Sequence, residues 1–209
     1  MSPARLRLLH AAPAPLAALL WLGSVLGFGA MLPGYSQMIY PTAALGALGI
    51  PRAQLFNLLG YALPGALIGL GALSLRLRLP LKAPWPQRIG AQLMFLSALG
   101  FVAMGLFRLD PQQLDGRSTR LHATAWVLWW ASALAGTLLL GLGLRGQVAW
   151  QRLARDGLVL GLAMAVLALI GPMLMPDGLS QRLSILAWMA WAGMAGLGGP
   201  AGQGSGVSR

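Results

Sequence analysis

The sequence contains no cysteine and no glutamate, a single lysine (Lys82), four aspartates and two histidines. Without cysteine there are no disulfides, thiolate nucleophiles or thiolate metal ligands. Only 9% of the residues are charged, against about 25% in a soluble domain. Hydrophobic residues make up 57% of the chain. A soluble fold of this length cannot bury that much apolar surface, because its exterior has to be largely polar. Lipid removes the difficulty by solvating the outer faces of helices. The 29 glycines and 14 prolines fit the same setting, where glycine lets helices approach and neighbouring helices satisfy carbonyls freed by proline.

The few charges mark out six apolar segments. Charge-free stretches run between Arg52 and Arg76, Arg88 and Arg108, Arg120 and Arg145, Asp156 and Asp177, and from Arg182 to Arg209. A helix needs about 20 residues to cross about 30 Å of hydrocarbon. The expected architecture is an all-α, polytopic transmembrane bundle of six helices in a single domain. Its spans lie at about 14–32, 55–75, 89–107, 121–144, 157–175 and 183–198, with a disordered tail over 199–209. Arg5 and Arg7 before the first apolar run resemble the start of a signal peptide. Phe28 fits poorly at the minus-three position to Ala30, so a retained helix is expected.

Orientation follows from the basic residues. Arg5, Arg7, Arg76, Arg78, Lys82, Arg88, Arg145, Arg152, Arg155 and Arg209 fall on one side, ten of the 15 in the chain. Arg52, Arg108, Arg117, Arg120 and Arg182 fall on the other. The richer side is cytoplasmic, so a bacterial inner-membrane protein with both termini in the cytoplasm (N-in, C-in) is expected. The net charge of +11 therefore points to membrane orientation and not to a nucleic-acid partner.

Small residues recur four apart at Gly23/Gly27, Gly65/Gly69, Ala131/Ala135 and Gly157/Gly161, a spacing that lets helix backbones touch. Pro64 and Pro172 fall inside spans and are expected to kink the second and fifth helices. Trp126, Trp129 and Trp130 share one helix face, as do Trp188 and Trp191. Packing or lipid contact explains them better than a cofactor site. The segment 33–54 has one charge, Arg52, among Met38, Ile39, Leu45, Leu48 and Ile50. It is expected to be an ordered element resting on the bundle.

Polar groups collect at the outer ends of the spans: Tyr35, Ser36 and Tyr40 after the first helix, Asn57 opening the second, Asp110 after the third, His122 opening the fourth and Ser184 opening the sixth. Polar side chains at membrane depth are functional candidates. Bis-histidine haem is excluded, since only His122 lies near a span interior and His10 sits at the opposite side. Catalytic zinc wants three protein ligands, and Asp110 and His122 supply two. No nucleophile elbow surrounds Ser36 or Ser184. No Walker or Rossmann glycine loop occurs in context. No carboxylate lies inside a span, which disfavours ion-coupled transport.

Tyr35-Ser36, the run Tyr40-Pro41-Thr42-Ala43-Ala44-Leu45-Gly46-Ala47-Leu48-Gly49-Ile50-Pro51, and Leu55-Phe56-Asn57 resemble the segment after the first helix in the bacterial membrane family called "domain of unknown function 998". Phe107, Asp110 and His122 match that family's phenylalanine-rich end of helix three, its aspartate and its histidine opening helix four. The resemblance implies the same six-helix bundle and no established activity. One position departs: the usual acid before leucine-glycine-alanine is Ala44 here. If relatives use that acid, this member has lost or changed the activity it serves.

These residues are read as an integral inner-membrane protein with an outer-facing polar pocket for a lipid, another apolar ligand or a partner. Tyr35, Ser36, Asn57, Asp110 and His122 are its candidate ligand-binding residues, with no metal or cofactor. Membrane lipids are the expected partners, along with another membrane protein or a second copy of the chain. Two alternatives stay open. One is a lipid-modifying enzyme in which His122 is the base and Asp110 orients it. The other is a small transporter. Asp110 and His122 are expected to share a site in which the carboxylate accepts a hydrogen bond from the imidazole.

Overall fold

The computed structural model describes residues 10–199. The expected disordered tail lies, from residue 200 on, outside the described residues, as do Arg5, Arg7 and Arg209. Every regular element among the described residues is helical. The long helices are α1 (Pro13–Met31), α2 (Ala53–Arg78), α3 (Trp85–Leu106), α4 (Arg117–Gly143), α5 (Gln151–Leu169) and α6 (Asp177–Leu197). A 3₁₀ turn, Thr42–Gly46, lies between α1 and α2, and a helical turn, Gly171–Leu174, lies between α5 and α6.

Four helices, α1 to α4, are long and apolar enough to cross a membrane. They are apolar all round, with Leu19, Leu70, Leu99 and Val127 exposed along their lengths, the pattern of a helix solvated by lipid. The two remaining long helices carry charge in their first two turns: Arg152, Arg155 and Asp156 in α5, Asp177 and Arg182 in α6. Helical hydrogen bonding thus runs past the point where the sequence turns polar. Hydropathy marks where hydrocarbon ends, and a helix is free to continue into the interface.

Proline acts differently at its two sites. Pro64 is buried inside α2, directly after a π-helical turn, Asn57–Ala62, and the Leu63 amide donates to the Leu58 carbonyl five residues back. The widened turn accommodates a ring that has no N–H and would strike the carbonyl four residues earlier. Pro172 instead accompanies a break. α5 ends at Leu169, and the chain restarts as the short turn Gly171–Leu174.

Each helix packs on the next in sequence, and α6 closes the ring against α1 and α2. Phe101 of α3, Trp129 of α4 and Trp188 of α6 meet at the centre, with ring centroids 5.0–6.0 Å apart. Trp129, Trp188 and Trp191 are buried, and Trp126 packs on Trp129 at 4.8 Å. These tryptophans are packing residues. The most extensive contact is α3 on α4, and glycine makes it. A Cβ at Gly100 would lie 2.8 Å from the Trp129 backbone nitrogen, and one at Gly90 would lie 3.0 Å from the Gly136 carbonyl oxygen. Gly65 meets the Val102 nitrogen and the Ala98 carbonyl in the same way, at 3.0 and 3.1 Å, and Gly161 abuts Thr137. The expectation fails for Gly23 and Gly27. A Cβ at either has nothing within 4 Å, because α1 packs through Ala17, Trp21 and Val25 on another face.

At the end where α2 and α6 finish, Arg78 caps α6 from its neighbour. Its Nη2 donates to the Ala195 carbonyl at 2.5 Å, its Nη1 donates to the Gly198 carbonyl, and its guanidinium lies 5.3 Å from the Trp150 ring. Gln87 does the same for α4, donating to the Gly143 carbonyl at 2.6 Å. The last carbonyls of a helix otherwise have no partner.

Gly100→Leu should lower the thermal stability of detergent-solubilised protein by about 1–3 kcal/mol or more, because backbone and not a yielding side chain faces the new group. Gly23→Leu should leave it unchanged. Unfolding followed by tryptophan fluorescence measures both, and equal effects would refute this assignment of helix faces.

Candidate functional site at the outer end

The α1–α2, α3–α4 and α5–α6 connections lie at one end of the bundle, called the outer end below. The first of them is folded onto the helices. Thr42, Ala43, Leu45, Gly46 and Ala47 are buried. The Leu48 amide donates to the Leu109 carbonyl at 2.8 Å, and the Gly178 and Leu179 amides donate to the Ile39 and Met38 carbonyls at 3.2 and 3.0 Å. The segment is therefore bonded to the α3–α4 connection and to the first turn of α6. Its apolar residues drive it onto the bundle, and these bonds satisfy backbone groups that water no longer reaches.

Arg182, in the second turn of α6, is the hub of this end. Its Nε donates to Gln37 Oε1 at 3.1 Å, and its Nη1 donates to the Tyr40 and Gly178 carbonyls at 2.9 and 2.7 Å. Its Nη2 donates to Tyr35 Oη at 2.6 Å and to Gln37 Oε1 at 2.7 Å. A guanidinium has five N–H donors, and all are used on neutral oxygens. Tyr35 passes the chain on by donating to the Pro41 carbonyl at 3.2 Å. Burial raises the Tyr35 pKa above its ordinary value, opposed in part by the Arg182 charge, so the phenol stays protonated and able to donate. Gln37 donates to the Val25 carbonyl of α1 at 2.9 Å. It fits there because residue 29 is glycine: a Cβ on Gly29 would sit 2.1 Å from Gln37 Nε2.

A second group lies deeper. Tyr61 Oη and Thr42 Oγ1 are 2.7 Å apart, and the Thr42 amide and hydroxyl both donate to Gln181 Oε1, at 2.7 and 2.8 Å. Asn57, one turn before Tyr61, donates to the Gly46 carbonyl at 2.9 Å. The His122 ring stands edge-on to Tyr61, with centroids 6.3 Å apart. Among the predicted residues, Asn57 and His122 therefore flank Tyr61, and Tyr35 joins the Arg182 hub. Ser36 contributes its backbone carbonyl to the Tyr40 amide.

Asp110 and His122 have other partners than each other. His122 Nδ1 lies 2.8 Å from the Phe107 carbonyl and 3.1 Å from the Met104 carbonyl. Both are acceptors, so Nδ1 carries the proton and Nε2 is the free acceptor. The Asp110 carboxylate accepts from the Gln112 amide at 3.0 Å, closing the turn after α3. Thr119 ties that turn to α4, accepting from the Asp110 amide at 3.0 Å and donating to the Gln113 carbonyl at 3.0 Å. Helix three ends at Leu106, and the carbonyls freed there reach the imidazole before the carboxylate does. Among the described residues, no three histidine or carboxylate side chains gather as metal ligands.

The family model described as "Protein of unknown function (DUF998)" matches residues 15–198. The chain belongs to that family. Comparison with curated proteins and with solved structures finds no match. In this DUF998 chain, Ala44 sits in the 3₁₀ turn between buried Ala43 and Leu45. The residues that sequence reasoning missed are Gln37, Thr42, Tyr61, Gln181 and Arg182. Their one visible signal was polarity inside otherwise apolar stretches.

Arg182→Ala removes five hydrogen bonds and should destabilise the outer end by about 2 kcal/mol or more. Chymotrypsin should then cut within residues 33–52 much faster than in the wild-type protein. An unchanged cleavage rate would show that Arg182 does not hold this segment.

Proposed function

We propose that the chain is a bacterial inner-membrane protein with six transmembrane helices and both termini in the cytoplasm. On this reading it binds a lipid or another apolar ligand at its outer end. Four long apolar helices support the membrane assignment. Exposed Val159, Leu162 and Val166 on α5 and Leu183 and Leu186 on α6 support counting these helices as spans, since such side chains are stable against lipid and costly in water. The uneven distribution of Lys and Arg supports the orientation.

The single observation that favours binding over catalysis is the setting of His122. A general base gains from a carboxylate that stabilises the imidazolium. Here two backbone carbonyls hold Nδ1, and Asp110 closes a turn. The imidazole is left as an oriented hydrogen-bond acceptor beside Tyr61, suited to recognising a ligand hydroxyl or amide. Tyr35, Ser36, Asn57 and Asp110 frame the same end of the bundle.

Two experiments test this reading. Single cysteines at Gln113 and Gln147 should differ in intact cells, with an impermeant thiol reagent labelling the Gln113 site only. The opposite labelling would invert the topology. Delipidated protein should gain several degrees in Tm when a total membrane-lipid extract is added, and His122→Ala should leave the cell's lipid composition unchanged. No gain in Tm would sink the lipid-binding reading, and a changed lipid composition would favour an enzyme.

A further inference from the structure

An open cleft of about 390 Å³ lies between the end of α1 and the chain entering α2. Its walls include Phe28, Met31, Leu32, Leu45 and Ile50, with Arg52 at the rim. The volume falls in the range of small-molecule sites, about 300–1,000 Å³. All the lining side chains are apolar except one, and that one is a cation.

Arg52 is unusual in two independent ways. Its backbone is left-handed, with φ 61°, and no other non-glycine residue among the described ones has positive φ. Glycine adopts that conformation without strain, and arginine does not. Its guanidinium is also poorly matched. The hydrogen bond it makes is from Nη1 to the Met31 sulfur at 3.1 Å, and a thioether is a weak acceptor. Among the described residues the ion pair formed is Arg155 with Asp156, so no carboxylate neutralises Arg52. The contrast with Arg182, whose five donors all meet oxygens, is sharp. Arg52 also stands at the N-terminus of α2, where no side chain caps the first turn and the helix dipole favours an anion.

An apolar cleft under an unneutralised cation complements an anionic amphiphile. From this charge complementarity we propose that the cleft seats an acyl chain of an anionic glycerophospholipid whose phosphate is held by Arg52. The inference rests on the lipid-binding reading above and narrows it to one cleft and one headgroup class. A neutral apolar ligand would fill the walls and leave Arg52 unused.

The test compares lipids with identical acyl chains on the full-length protein in detergent, by native mass spectrometry and thermal unfolding. The wild-type protein should bind phosphatidylglycerol about tenfold more tightly than diacylglycerol, and inorganic phosphate alone should not stabilise it. Arg52→Gln should abolish the preference while diacylglycerol binding persists. Arg52→Gly guards against a folding defect, because it relieves the strained φ: it should be at least as stable as wild type without lipid and should still lose the preference. A preference retained in Arg52→Gly would place the headgroup elsewhere and overturn the proposal, as would stabilisation by inorganic phosphate equal to that by the lipid. Equal binding of the two lipids by wild type would overturn this proposal alone, whereas no binding of either would overturn the lipid-binding reading with it.

Discussion

The Arg182 guanidinium gives every one of its N–H groups to an oxygen, and none of those oxygens carries a charge. Such a cation is costly to desolvate, and hydrogen bonds to a charged donor are worth more than neutral ones. The arrangement ties α6 to Tyr35, Gln37 and the Tyr40 carbonyl at once, and Gln37 carries the tie to the Val25 carbonyl of α1. α1 and α6 are the two helices that close the ring. The segment between α1 and α2 is thereby fixed in place, and the deeper Thr42, Tyr61 and Gln181 contacts can form beneath it.

Below that end, packing is governed by the absence of side chains. In lipid there is little hydrophobic gain from bringing helices together, so van der Waals contact between close backbones has to supply it. Gly90, Gly100 and Gly136 bring α3 and α4 together, and Gly65 brings α2 to α3. The same device serves the outer end: Gly29 admits Gln37, Gly46 admits Asn57, and Gly178 admits the Tyr40 carbonyl. Polar and apolar parts of the structure therefore depend on one residue type for close approach.

The sequence made the long helices legible because apolar runs between charges are among the strongest patterns a sequence can carry. It also marked 33–54 as ordered, since Leu45 and its apolar neighbours cannot stay in water. It was less informative about contacts. Gly23 and Gly27 have the same spacing as Gly65 and Gly69, yet one pair faces away from the bundle and the other lies at a helix contact. Spacing fixes a helix face but not what that face meets. The Asp110 and His122 pairing was reasoned from shared depth alone. The carbonyls of Met104 and Phe107 intervene, and backbone acceptors have no signature in a sequence. Arg182 was visible only as a charge near a helix start, because three of its four partner residues, Tyr35, Gln37 and Tyr40, come from a segment far away along the chain.

The central claim is that the segment between α1 and α2 is a fixed cap on the helical bundle, on which the candidate site depends. Amide hydrogen exchange of the protein in lipid nanodiscs tests it most directly, read on peptides covering 38–50. Protection there comparable to that of α3 and α4 is expected, because amides such as that of Leu48 are bonded to the neighbouring connection. Exchange as fast as in an unstructured peptide would contradict a fixed cap and the site built beneath it.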